Sequence, residues 1–247
     1  MIKIVYCGYR KWSFDILKNL VDAQNERNFR ILSIVTAKEK ESNFTFPGIK
    51  TLEINPPDIG KGEVYEKLKL LNPDLFLFYG WSWMVPKNIL ALAKCVCLHP
   101  SPLPRYRGGS PLQHQIIKDE QKSAVTLFYI SEGLDSGDIL IQKPFSLDGE
   151  LSDIFKRIAN IGTSATLELF DKIDKGSLRV IPQDDSKATI YKRRKPEESE
   201  IKMEYFKKKT AVELHNFIKA LQDPYPNAYV VCKDKKRLYI LKTRVEK

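Results

Sequence analysis

The chain has 247 residues, 43% of them hydrophobic and 29% charged, with a net charge of +10. That length suits one large domain, or one domain with an appendage. Its apolar runs all fall short of the roughly 18 residues that cross a bilayer, so no membrane partner is expected.

MIKIVYC reads as a strand rather than a signal peptide, which makes a cytoplasmic location the expectation. WSFDILKNLVDAQ is helical, RILSIVTA is a strand of the nearly all-apolar kind found in buried parallel sheets, and TLEI is a short third strand. GEVYEKLKLLN (helix), PDLFLFYG (strand), VPKNILALA (helix) and KCVCL (strand) continue the alternation. Such alternation predicts an α/β fold with a doubly wound, mostly parallel sheet. SPLQHQIIKD is a further helix. SAVTLFYIS and DILIQKPFSL, joined by EGLDSG, predict an antiparallel pair. ELSDIFKRIANIGTSATLELFDKID is one long amphipathic helix in which Gly162 reads as a tolerated interior glycine, and GSLRVIPQ reads as a return to the sheet.

Residues 1–185 are read as the main domain and residues 186–247 as a small α+β appendage of linker, helix and hairpin, docked on the main domain or on another subunit. The appendage carries the charge: it holds 17 Lys and Arg against 8 Asp and Glu, while residues 1–185 hold 24 against 23. A basic segment suits nucleic acid, nucleotide phosphates or a solvated surface. Lys192-Arg193-Arg194-Lys195 has only Tyr191 as an aromatic neighbour, which does not make a base-stacking platform.

Four cysteines, Cys7, Cys95, Cys97 and Cys232, show no metal-ligand spacing, and Cys7, Cys95 and Cys232 read as small buried hydrophobes. The turn Cys7-Gly8-Tyr9-Arg10 lacks a G-x-G-x-x-G pattern, so a dinucleotide site is not predicted; Arg10 and Lys11 either meet an anionic substrate or are plain surface residues. Of three histidines, His215 has helical spacing and reads as structural, and His114 opens a substrate-facing or a structural reading. His99 stands at the carboxyl end of a strand, where open α/β sheets place ligands, and a loop with Pro100, Pro102 and Pro104 follows it. Its candidate partner is Asp135, in a turn between Gly133 and Gly137; Asp138 has a weaker case. A carboxylate beside a histidine orients the ring and stabilises its charged form. Sequence alone does not bring Asp135 to His99.

CLHPSPLPRYRGGSP followed by LFYISEGLDSGDIL resembles the folate-dependent formyltransferase family, and FLFYGWSWMVPKNIL resembles its strand and loop beside the pterin pocket. YKRRKPEESEI and IKALQDPYPNAYV are similar to the linker and C-terminal part of the sugar-amine members. The resemblance implies a Rossmann-like formyltransferase catalytic domain and transfer of a formyl group from 10-formyltetrahydrofolate, with no metal. It implies a nucleotide-linked amino sugar as acceptor, with initiator methionyl-tRNA as the alternative, and pairing of two copies through the C-terminal segment. It carries catalytic roles to His99 and Asp135. By the same resemblance Gly80, Trp81, Ser82, Trp83, Met84, Val85, Gly133 and Leu134 border the folate. Arg10, Tyr106, Arg107, Gly108, Gly109 and Ser110 border the amine.

The chain departs from the family where Cys97 stands two residues before the histidine, at the position usually held by Asn. An amide offers two N–H donors to an oxyanion, a thiol one weak donor. Three outcomes stay open: activity carried by His99 and Asp135, a weakly active or non-catalytic binding protein, or a thiolate that accepts the formyl group itself.

Overall fold

The computed structural model describes residues 1–38 and 45–246. In chain order its strands are β1 (Ile2–Cys7), β2 (Phe29–Ala37), β3 (Lys50–Ile54), β4 (Leu75–Tyr79), β5 (Lys94–His99), β6 (Arg107–Gly108), β7 (Lys122–Tyr129), β8 (Ile139–Ser146), β9 (Ile190–Tyr191), β10 (Ala228–Val231) and β11 (Arg237–Ile240). The helices are α1 (Lys11–Ala23), α2 (Gly62–Leu70), α3 (Lys87–Leu90), α4 (Pro111–Ile117), α5 (Leu151–Asp174), α6 (Tyr205–Lys208) and α7 (Ala211–Lys219).

The central sheet has the order β3-β2-β1-β4-β5-β7-β8. β1 to β5 run parallel, and β7 and β8 join antiparallel to β5 and to each other. The apolar runs are continuous because both sheet faces are covered. On one face α1 and α5 bury Ile16, Leu17, Leu20, Ile154, Ile158 and Leu169 against Ile4, Tyr6, Leu77 and Leu98. On the other, Ile59, Leu68 and Ile89 close over Val5, Val35, Phe76, Phe78 and Cys95. The strand order reverses between β1 and β4, and the carboxyl ends of β1, β4 and β5 meet there, which is where this architecture leaves a crevice.

Three expectations are corrected. Gly162 is a point of close approach: a Cβ there would lie 2.6 Å from Ile16 Cδ1 and 2.8 Å from Leu98 Cδ1, so its absence lets α5 settle onto α1 and the sheet. Residues 176–183 do return to the sheet as expected, through the bridge of Ile181 to Ile139 rather than through a strand, and the segment then leaves to bond with loops. The helix expected over residues 85–93 shortens to α3, which begins after the Pro86 cap and gives way at Ala91 to turns that lead into β5. Cys7 and Cys95 are buried, but Cys232 sits exposed in the β10–β11 link.

The C-terminal unit folds around Ile201, Phe217, Ile218, Leu221 and Ala228. It docks on the main domain: Asn216 donates to Asp119 at 2.8 Å, Lys219 donates to the Leu147 carbonyl at 2.7 Å, and the Leu151 N–H donates to Gln222 at 3.0 Å.

One buried polar contact ties α5 to β4. The Tyr79 hydroxyl meets Thr166 Oγ1 at 2.8 Å, and that hydroxyl donates to the Gly162 carbonyl at 2.7 Å. Thr166→Val keeps the shape and orphans the phenol, so urea unfolding should show a loss of about 1–3 kcal/mol. Adding Tyr79→Phe to it should recover part of that loss.

Candidate active site

Four segments converge at the carboxyl edge of the sheet: the turn after β1 with Arg10, the loop after β4 with Gly80 to Met84, the end of β5 with Cys97 and His99, and the β7–β8 link with Leu134 and Asp135. Together with Gly108, Gly109 and Ser110 they line one cavity of about 490 Å³. A larger depression of about 930 Å³ lies beside Arg105, Glu120 and Lys122. It includes none of the predicted residues and is shallower in character, with Arg105 and Glu120 already paired to each other.

His99 is buried on the cavity wall, and its Nε2 lies 2.8 Å from the Tyr106 carbonyl. That contact turns the Nδ1 edge toward Asp135, whose Oδ2 is 3.6 Å away. At this separation the pair attracts without a committed hydrogen bond, so Nδ1 remains available to a ligand atom. Asp135 is itself fixed, because its Oδ2 accepts from the Gly108 N–H at 2.7 Å. The loop behind His99 is pinned through its carbonyls. Gln115 donates to Pro100 at 2.9 Å, Thr126 to Ser101 at 2.7 Å and Gln142 to Leu103 at 3.0 Å. Prolines limit the angles of this loop, and these side chains fix the rest.

Cys97 also lines the cavity. Burial, and next the charge of Asp135, push its thiol well above the ordinary range. At neutral pH it is a protonated thiol: a weak donor, and no nucleophile.

The loop after β4 builds an aromatic ladder. Phe78 meets Trp81 with ring centres 5.7 Å apart, Trp81 meets Trp83 at 5.3 Å, and Trp83 meets Tyr9 at 4.9 Å. Tyr9 and Ser82 share a 2.6 Å hydroxyl contact. The indole N–H of Trp81 is buried and has no hydrogen-bond partner among the described residues. At the same cavity stand Arg10, over the Tyr9 ring at 4.6 Å, and Arg193, which donates to the Ser82 carbonyl at 3.1 Å. Neither is in an ion pair among the described residues. Burial pushes the Tyr225 phenol up to about 12 against the pull of these two guanidiniums, so it stays a neutral donor beside them.

Several predicted residues are not brought to the cavity. Tyr106 and Arg107 are corrections: both are buried and turn inward. Tyr106 has φ of 63°, which swings its ring onto Tyr191 and its hydroxyl to Glu120 at 2.7 Å, leaving its carbonyl to hold His99. Arg107 is 5% exposed and is held by Gln183 and Asp185. Val85 and Gly133 lie outside the lining. His114 also stays outside; its Nε2 meets the Lys192 carbonyl at 3.0 Å. His215 bonds Thr243 within the C-terminal unit. Sequence reasoning missed Tyr191, Lys192 and Arg193, which close one side of the cavity. Their signal was the single aromatic beside the basic run, but that run was read as a linker. Gly109 explains their approach: a side chain there would collide with the Arg193 backbone.

Residues 14–169 match the family model described as formyl transferase, and residues 194–247 match that of the formyl transferase C-terminal domain. A methionyl-tRNA formyltransferase from Macrococcus caseolyticus is 30% identical over 244 residues, covering 93% of this chain and 76% of that one. Among solved structures, methionyl-tRNA formyltransferase from Clostridium thermocellum superposes with a TM-score of 0.75 at 27% identity, covering 100% of this chain and 94% of that one. A sugar N-formyltransferase from Shewanella sp FDAARGOS_354 gives 0.73 at 17% identity, covering 100% of both, and so shares the fold.

The state of Cys97 is open to a direct check. Maleimide labelling at neutral pH, read by mass spectrometry, should modify Cys232 and spare Cys97. Labelling of Cys97 should set in only well above the usual thiol range of roughly 8.5. Rapid modification of Cys97 at neutral pH would restore the thiolate reading.

Proposed function

The chain belongs to the folate-dependent formyl transferase family, and from that footing we propose that it moves a formyl group from 10-formyltetrahydrofolate to the free amine of a nucleotide-linked amino sugar. The observation that carries this reading is the meeting of His99, Asp135, an aromatic slot and two arginines in one cavity.

The donor suits the slot. A pterin needs a flat apolar recess with a few placed polar groups. Trp81, Trp83 and Met84 offer the first, while the buried Trp81 N–H and the backbone near Gly80 and Leu134 offer the second. The amine nitrogen adds to the formyl carbon, and the new N–C bond leaves a tetrahedral oxyanion. Because the His99 Nε2–H is held by the Tyr106 carbonyl, Nδ1 supplies a donor for that charge only in the charged, doubly protonated ring, the form that a carboxylate beside it favours. Asp135 accepts the amine proton, directly or through a water. The bond from the formyl carbon to the folate nitrogen then breaks, and that nitrogen takes up the proton. Cys97 lends at most its weak S–H, so His99 and Asp135 carry the step.

The acceptor is read from charge. Arg10, Lys192 and Arg193 give the cavity a cationic side fit for phosphates. A second reading, the aminoacyl end of methionyl-tRNA, is favoured by the curated relative at 30% identity and by the basic residues 186–247.

Turnover of 10-formyltetrahydrofolate with nucleoside-diphosphate amino sugars and with methionyl-tRNA, followed by folate absorbance, separates the two. Saturation by an amino sugar nucleotide is expected; activity confined to tRNA, weakening steeply with salt, supports the second reading. Folate binding without turnover on any amine contradicts both. In the active assay His99→Ala and Asp135→Ala should each lower kcat by roughly 10²–10⁴ while melting near the parent temperature. Arg193→Ala should raise the KM of the amine about tenfold with kcat little changed. Cys97→Asn should raise kcat by adding a donor, and loss of activity would show that the thiol has been recruited.

A further inference from the structure

Asp135 stands on a loop, and His99 ends β5 where it is held by the loop that follows; a loop holds its geometry only as well as its hydrogen bonds do. A side chain outside both loops makes four of those bonds. Gln183 Nε2 donates to the Asp135 carbonyl at 2.9 Å and to the Gly137 carbonyl at 2.6 Å. Its Oε1 accepts from Arg107 Nε at 3.0 Å and Arg107 Nη2 at 2.8 Å. Both donors therefore serve the aspartate turn, and the acceptor serves the histidine loop. Arg107 is anchored beyond this by Asp185, at 2.8 Å.

The turn needs such a hold. Asp135 has φ of 47°, in the left-handed region that a residue with a Cβ enters only when its surroundings keep it there. Gly137 sits against the Tyr129 carbonyl so closely that any side chain would collide with it. Gln183 reaches it from a segment placed by other bonds. Ile181 exchanges two bonds with Ile139, at 2.8 and 2.9 Å, and Thr189 accepts the Arg107 N–H at 2.8 Å.

We propose that Gln183 is a positioning residue for the formyl transfer: its carboxamide ties the Asp135 turn to the His99 loop and so sets the separation between the two side chains. The inference rests on the catalytic reading given above. The chemistry of the side chain is specific. An amide donates twice and accepts at the same site. A carboxylate at this point would keep the Arg107 contact and turn an oxygen toward two carbonyl oxygens. A thioether would lose both sets.

The test uses the full chain with Gln183→Glu and Gln183→Met, beside Asp135→Ala. The assay uses 10-formyltetrahydrofolate and whichever of the nucleoside-diphosphate amino sugars or methionyl-tRNA the parent turns over. Both Gln183 variants should lose about a hundredfold in kcat, as expected for a displaced catalytic group, while the KM for 10-formyltetrahydrofolate stays near the parent value. Parent-like kcat in Gln183→Glu would show that only the Arg107 brace matters and would overturn the proposal. A crystal structure of Gln183→Met gives a readout that needs no amine. The Asp135 turn should move away from His99 with the central sheet unchanged, and an unmoved turn would overturn the proposal. The two failures are distinguishable: full activity in Asp135→Ala sinks the catalytic reading itself, whereas dead Asp135→Ala with normal Gln183 variants sinks only the positioning role.

Discussion

The Gly108 N–H donates to Oδ2 of Asp135 at 2.7 Å, and much of the structure serves to keep that donor and acceptor together. The bond joins the loop after β5 to the link between β7 and β8. Being made to a carboxylate, it is of the stronger kind, and it leaves Asp135 facing His99 rather than solvent. Gly108 meets it with φ of 95°, and a Cβ there would strike the Tyr191 carbonyl. Tyr191 in turn accepts the Gly109 N–H at 2.8 Å, so β9 holds the histidine loop from its outer side.

The sheet was legible in the sequence because its signal is local. Apolar runs such as Ile2 to Cys7 and Leu75 to Tyr79 are buried on both faces, and only a doubly wound parallel sheet asks for that. The turn between β7 and β8 was legible through its glycines. The meeting of Asp135 with His99 was not. Tyr129, at the end of β7, pairs with Val96, so the link must fold back along the sheet to reach the carboxyl end of β5. No periodicity encodes that return. The same holds for residues 180–191, whose bonds run from side chains and single backbone groups to loops elsewhere. Tyr106 and Arg107 were misplaced for a related reason. A positive φ at Tyr106 reverses which way the loop's side chains point, and residue type alone does not announce it.

Cys97 changes the balance of the site without changing its frame. It lies in β5 paired with Phe78 and Phe128, a place any compact side chain fills. Its consequence is chemical. In the proposed reaction the protonated thiol leaves the oxyanion to His99, whose ring is oriented by the Tyr106 carbonyl. The burden on preorganised loops is therefore greater here than in a site with an amide donor beside the histidine. In the proposed function the cationic side of the cavity meets the acceptor's phosphates: Arg10 and Arg193 come from distant parts of the chain and meet beside Tyr225.

The central claim is that His99 and Asp135 act as one unit. A double-mutant cycle on kcat/KM tests it most directly, with His99→Ala, Asp135→Ala and the double variant measured on the same amine. Groups that work together are strongly non-additive. The account predicts that the double variant is no worse than the poorer single one. Losses that add in free energy would contradict it, because they would mean that the two side chains contribute independently.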